Sequence, residues 1–178
     1  MRIQKIIYTA LFAAIIAALG IVPPIPLPFS PVPITLQTLG VMLAGSLLGA
    51  RYGGLSILLF VVLVMIGLPL LAGGRGGAGI LFGPGGGYIL SWPLGAFIIG
   101  WIAHSFKKPS FPKYLSANII GGIFVIYAGG VTYLSFLINI PWTTAAIQAL
   151  AFLPGDIFKA VVASFVAVRL NKQHKIRL

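Results

Sequence analysis

The chain has 178 residues, 59% of them hydrophobic and 7% charged, with twelve Lys and Arg set against a single acid, Asp156. A soluble domain is about a quarter charged, so this composition, with a mean hydropathy of +1.08, excludes an ordinary water-soluble enzyme. It points instead to one integral membrane domain spanning residues 1–178, and the absence of Cys excludes disulfides and thiolate metal sites.

Apolar spans occur at roughly 6–22, 34–50, 54–71, 87–103, 115–138 and 154–170. Each is close to the ~20 residues a helix needs to cross the hydrocarbon of a bilayer. The expectation is an all-α bundle of six transmembrane helices. Threading from a cytoplasmic N-terminus puts Arg2, Lys5, Arg51, Lys107, Lys108, Lys113, Arg169, Lys172, Lys175 and Arg177 on one side. The opposite connections carry only Arg75, and Lys159 lies inside a span. Such asymmetry is the positive-inside pattern, which predicts both termini in the cytoplasm. The basic excess is thereby explained by topology, and no basic and aromatic module for nucleic acid is visible.

The first span has a basic start but no A-x-A cleavage signal after it, so it reads as a retained helix. Ala10, Ala14 and Ala18 recur at four-residue spacing with Ala13 and Ala17 alongside, forming a smooth stripe where another helix can approach closely. Two uses fit it: packing within this bundle, or docking of a separate membrane subunit.

Residues 23–33 hold six of the thirteen prolines, which favours a stiff, extended, polyproline-like rim. It leads into Thr35, Gln37 and Thr38, three neutral polar residues at the start of the second helix. Their hydroxyls and amide could serve neighbouring backbone or a ligand. The third connection, residues 72–86, is Gly-rich and includes Gly74, Arg75, Gly76 and Gly86, followed by Tyr88. It lacks the P-loop pattern G-x-x-x-x-G-K-[ST]. Its exposed backbone N–H groups and the apolar insert Ile80-Leu81-Phe82 predict a loop that dips back among the helices.

The last span opens with Pro154-Gly155-Asp156-Ile157-Phe158-Lys159. The i,i+3 spacing sets Asp156 and Lys159 on one helix face. Ionisable groups within a span are costly and mark functional sites by default. The alternative is that Asp156 caps the helix while Lys159 snorkels outward. Asp156, Lys159 and Arg75 share the level of the Gly-rich loop and of the aromatics Phe82, Tyr88, Trp92 and Trp142. That predicts a mostly apolar pocket with a few polar groups for a small, partly apolar, anionic ligand captured from outside. A lone acid with His104 and His174 at the cytoplasmic boundary leaves little for catalysis or a metal.

The run Pro31-Val-Pro-Ile-Thr-Leu-Gln-Thr-Leu-Gly40, the stretch Gly67-Leu-Pro-Leu-Leu-Ala-Gly-Gly74, Gly83-Pro84, Gly86-Gly87-Tyr88 and Pro154-Gly155-Asp156-x-x-Lys159 together resemble the BioY family. Its members are the biotin-binding S components of energy-coupling factor (ECF) transporters. The resemblance runs from the first helix to the last. It implies a six-helix bundle, with ordered outer loops capping a cavity for biotin, in a bacterial or archaeal cell membrane. It further implies a transmembrane coupling subunit docked on the Ala stripe of the first helix, and two ATPase subunits, since this chain has no Walker motif. Biotin is then the transported ligand, and no cofactor is expected. Asp156 and Lys159 would match the ureido edge of biotin, Arg75 or Lys159 its carboxylate, and the aromatics its thioether ring. The alternative is an S component for another vitamin, riboflavin or thiamine, or a stand-alone small-molecule transporter.

Overall fold

The computed structural model describes residues 2–105 and 110–172, with the side chains of Arg2 and Lys172 excepted. Lys107, Lys108, His174, Lys175 and Arg177 lie outside the described residues. The fold is mostly helical: α1 (Arg2–Leu19), α2 (Gln37–Met65), α3 (Ala78–Leu81), α4 (Gly86–His104), α5 (Phe111–Ile119), α6 (Ile126–Ile138), α7 (Trp142–Ala149) and α8 (Leu153–Lys172). By length and composition alone, four helical segments qualify to cross a membrane: Gln37–Met65, Gly86–His104, Phe111–Ile138 and Trp142–Asn171. A shorter apolar helix runs over Ile3–Leu19.

The expected second and third spans are the two arms of α2. Gly49, at φ 77° and ψ −177°, breaks the helix between them. A Cβ placed on Gly53 would lie 2.9 Å from the Ala44 carbonyl oxygen, so the chain reverses at Gly49 and the arms run side by side. The same reversal brings Gln37 within hydrogen-bonding distance of Leu70 and Ala72. Counting the arms separately gives six crossing helices among the described residues.

Glycines set how closely these helices pack. Gly100 of α4 faces the backbone of Gly49 and Ala50, and Gly95 faces the Gly121 carbonyl oxygen, where a Cβ would come within 2.8 Å. At Gly121 the helix joining α5 to α6 widens into a π-helical stretch, Ile120–Val125. Such bulges commonly sit beside functional sites, and this one directly precedes Ile126 and Tyr127. Deeper in the bundle Ser46, Asn118 and Ser164, each fully buried, link α2, α5 and α8 through hydrogen bonds of 3.0 Å.

Two expectations are corrected. The proline-rich segment is not a single extended path but an antiparallel hairpin, β1 (Ile25–Leu27) paired with β2 (Ser30–Ile34), so the fold is not purely α. Prolines at 26, 31 and 33 alternate with residues that keep their N–H, so two stiff extended stretches can still pair. Residues 139–153, expected as a plain connection, hold α7 and a 3-10 turn, Leu150–Phe152.

Charges separate along the bundle. Lys5 and Arg51 both lie over the Tyr52 ring, at 5.2 and 6.0 Å, and Asn171 near the end of α8 donates to the Tyr114 hydroxyl in α5 at 2.8 Å. Asp156, Lys159 and Arg75 gather at the opposite end.

The Gly49 conformation belongs to a region essentially reserved for Gly. Gly49→Ala is expected to lower stability by about 1–3 kcal/mol, read as a drop in thermal unfolding midpoint in detergent. Gly54→Ala, in a regular helical position with ordinary contacts at 3.4 Å, should leave the midpoint unchanged or raised.

Candidate ligand-binding site

A cavity of about 290 Å³ opens at the end away from the Lys5 and Arg51 cluster. Its walls come from β2 and the start of α2, the 71–85 loop, α4, α6, the 3-10 turn and α8. Most are apolar, and three rings form one corner. Tyr88, Tyr127 and Phe152 meet edge to face, with centroids 5.8 to 6.4 Å apart, an arrangement that suits the aromatic quadrupoles.

The charged centre is the Asp156–Lys159 pair. Lys159 Nζ lies 2.8 Å from Asp156 Oδ1, and the two residues are 6% and 4% exposed. Lys159 therefore does not snorkel outward. Its three N–H bonds go to Asp156 Oδ1, to the Thr35 carbonyl oxygen at 2.7 Å and to Thr38 Oγ1 at 3.0 Å. An ammonium has three donors and no acceptor, so Lys159 is saturated.

Asp156 is nearly so. Oδ1 also accepts from Thr38 Oγ1 at 3.1 Å, and Oδ2 accepts from the Tyr127 hydroxyl at 2.8 Å. Thr38 Oγ1 thus accepts a hydrogen bond from Lys159 and donates one to Asp156. Oδ2 and the Tyr127 oxygen each keep a lone pair that a ligand in the cavity could meet. An unpartnered charge in such a place would be strongly unfavourable. Here each charge is compensated by the other and by α2, α6 and the strand exit.

Gln37 lines the cavity but spends its amide on the scaffold. Nε2 donates to the Ile16 and Leu70 carbonyl oxygens at 3.2 and 3.0 Å, and Oε1 accepts from Ala72 N–H at 3.0 Å. It ties α1, α2 and the Gly-rich loop together. Thr35 precedes α2 rather than entering it, and contributes its carbonyl oxygen to Lys159. Arg75 stands at the rim, exposed, with Nε donating to the Ala72 carbonyl oxygen at 3.1 Å. Trp92 and Tyr88 are buried and line the wall.

Other expected site residues are placed elsewhere. Phe82 is 74% exposed and does not line the cavity, and Trp142 Nε1 donates to Thr132 Oγ1 at 3.3 Å at an exposed position. Gly74, Gly76 and Gly86 do not line the cavity. Gly74 takes a positive φ of 69° in the turn closed by Leu71 and Arg75, Gly76 packs on the Leu68 carbonyl oxygen, and Gly86 packs on that of Leu81. These glycines shape the loop, while Gly83, Pro84 and Gly85 reach the cavity. The Ala stripe of α1 is divided: Ala13 is buried in the core and Ala17 is partly covered, whereas Ala10, Ala14 and Ala18 are exposed. The packing of Phe12, Ala13 and Ile16 inward turns only the Ala10, Ala14, Ala18 edge outward.

Sequence reasoning missed Tyr127, Phe152 and the partnership of Thr38. The signal for Tyr127 was a hydroxyl-bearing ring inside a span, a group that needs a partner when buried.

The BioY family model matches residues 1–175. A biotin transporter BioY from Rhizobium etli is 46% identical over 172 residues, covering 93% of this chain and 92% of that protein. The chain belongs to the BioY family. A probable biotin transporter BioY from Bacillus subtilis is 42% identical, with 97% and 92% coverage. The crystal structure of the S-component for biotin from an ECF-type ABC transporter superposes on this BioY-family chain with a TM-score of 0.92 and 40% identity, covering 96% of this chain and 92% of that one.

Removing one partner of the buried pair should expose its value to the fold. Lys159→Met is expected to destabilise this BioY-family chain by about 3–5 kcal/mol, with the double change Lys159→Met, Asp156→Asn recovering much of the loss. Thermal unfolding of the four variants in a double-mutant cycle measures the coupling.

Proposed function

We propose that this chain is the biotin-binding S component of an ECF-type transporter, capturing biotin in the 71–85 loop cavity and releasing it inward. The observation that carries this reading is the spare chemistry of the cavity: acceptors at its centre, apolar and aromatic walls, and a cation at the rim. Biotin offers the complement, with two ureido N–H donors, an apolar thioether ring and a tail carboxylate. At about 290 Å³ the cavity is near the lower end of ligand pockets, in keeping with a small bicyclic ligand.

In this reading the ureido N–H groups donate to Asp156 Oδ2 and to the Tyr127 oxygen. Lys159, with its donors already engaged, holds the Asp156 carboxylate in place instead of meeting the tail carboxylate. Arg75 takes that role. The Tyr88, Tyr127 and Phe152 rings cover the thioether ring.

The cavity end faces outward and both termini lie in the cytoplasm, since Lys5, Arg51, Lys113 and Arg169 belong to the opposite end or to connections assigned there. The exposed edge Ala10, Ala14, Ala18, continued by Ile3 and Ile7, is the face proposed to meet a transmembrane coupling subunit. Two ATPase subunits supply the hydrolysis. Relatives named as biotin transporters over nearly the full chain support biotin over riboflavin or thiamine.

Calorimetric titration with biotin and with an uncharged biotin amide tests the assignment. Asp156→Asn should weaken both ligands by about tenfold or more, as a hydrogen bond to a charged acceptor is lost. Arg75→Ala should weaken biotin alone, by only a fewfold, because an exposed ion pair is worth ~1 kcal/mol or less. Equal weakening of both ligands by Arg75→Ala would place the carboxylate elsewhere.

A further inference from the structure

Two buried side-chain polar atoms lack a hydrogen-bond partner among the described residues, Gln148 Oε1 and Trp92 Nε1. Only Trp92 lines the cavity. Its residue is 4% exposed, so ordinary solvent does not satisfy the indole N–H. A buried donor without an acceptor is unfavourable, and native structures seldom keep one without a use.

The ring itself is fixed. Trp92 lies in the second turn of α4, with Phe60 of α2 at a centroid distance of 6.2 Å. An indole N–H can only donate, so whatever completes it must present an acceptor atom.

The rest of the cavity narrows that acceptor. Asp156 and Tyr127 keep spare acceptors and no spare donor, because the Tyr127 proton is committed to Oδ2. Lys159 has no N–H left. Gln37 has its amide tied to Ile16, Leu70 and Ala72. Arg75 remains at the exposed rim. Tyr88 and Thr35, whose hydroxyls make no hydrogen bond among the described residues, could turn either to donate or to accept. Among the side chains away from the rim, the unspent group that can only donate is therefore Trp92 Nε1.

A cyclic urea that gives its two N–H groups to Asp156 and Tyr127 still has a carbonyl oxygen to place in a low-dielectric site. We propose that the Trp92 indole N–H donates to the ureido carbonyl oxygen of the ligand, making Trp92 a specificity-determining residue that selects a cyclic urea over analogues lacking that acceptor. The inference rests on the biotin reading above and deepens it. It assigns the carbonyl to α4 and the N–H edge to α6 and α8, so recognition of the head group spans three helices. Specificity of this kind is strong, because a ligand without the acceptor leaves the buried donor unpaired.

The test uses the full chain in detergent or nanodiscs, as wild type and Trp92→Phe, with three probes. Biotin and desthiobiotin both carry the ureido carbonyl, and desthiobiotin lacks the thioether. Protonated 2-iminobiotin carries a donor where the carbonyl oxygen would be. Trp92→Phe should weaken biotin and desthiobiotin alike, by about tenfold to a hundredfold, and leave 2-iminobiotin nearly unchanged. Equal weakening of all three would mean that the ring acts only by packing, and would overturn the proposal, as would unchanged biotin affinity.

A second measurement does not depend on the variant keeping its binding strength. In the wild-type chain labelled with 15N-tryptophan, the indole resonance that Trp92→Phe removes should move downfield when biotin saturates the site. Saturation with that resonance unmoved overturns the inference alone. Failure of the wild-type chain to bind biotin overturns the biotin reading together with it.

Discussion

The ion pair between Asp156 and Lys159 is the constraint on which the site depends. Two charges held at 4% and 6% exposure in a lipid-facing bundle are tolerable only if each is compensated by the other and by further hydrogen bonds. That requirement recruits Thr38 from the start of α2, the Thr35 carbonyl from the strand exit before it, and the Tyr127 hydroxyl from α6. The same three groups, with the pair, form the polar centre of the cavity. Stabilising the pair and building a ligand site are thus one act of folding. The i,i+3 spacing in α8 fixes the pair locally, and the reversal at Gly49 returns the chain to this end at Leu70, while the π-helical stretch ahead of Ile126 leads into Tyr127.

Around that centre the scaffold uses two kinds of cement. On the α4 side, glycine contacts with α2 and with the π-helical stretch bring backbones together with no room for a side chain. On the α1 side a single amide, Gln37, gathers three backbone groups. The loop over residues 71–85 is therefore anchored at Ala72 while its glycines adopt positive φ at 73, 74 and 77. The loop is tied again where Gly77 N–H meets the Val64 carbonyl oxygen and where the Tyr133 hydroxyl donates to the Leu81 carbonyl oxygen, so its turns keep a fixed register.

Much of this was legible in the sequence. Span count, the separation of cations from the Asp156 and Lys159 pair, and the role of Tyr88 and Trp92 as wall residues all follow from hydropathy, charge and spacing. What was not legible depends on tertiary context. Prolines at 26, 31 and 33 announce stiffness, but whether two stiff stretches pair is decided across the hairpin. Gly74, Gly76 and Gly86 signal close approach, and the approach is to the loop's own carbonyls rather than to a ligand. Phe82 belongs to an apolar insert that dips inward through Ile80 and Leu81 and leaves the ring itself outside. Gln37 and Lys159 have the right chemistry for a ligand, yet partners many positions away in sequence consume it.

The central claim is that a chain of the BioY family with this polar centre holds biotin. Purification of the full-length chain in mild detergent, followed by denaturing extraction and mass spectrometry of what is released, tests it most directly. The account predicts biotin in an amount approaching one molecule per chain from wild type, and its loss from Asp156→Asn. Recovery of riboflavin or thiamine, with no biotin even after biotin is supplied, would contradict it.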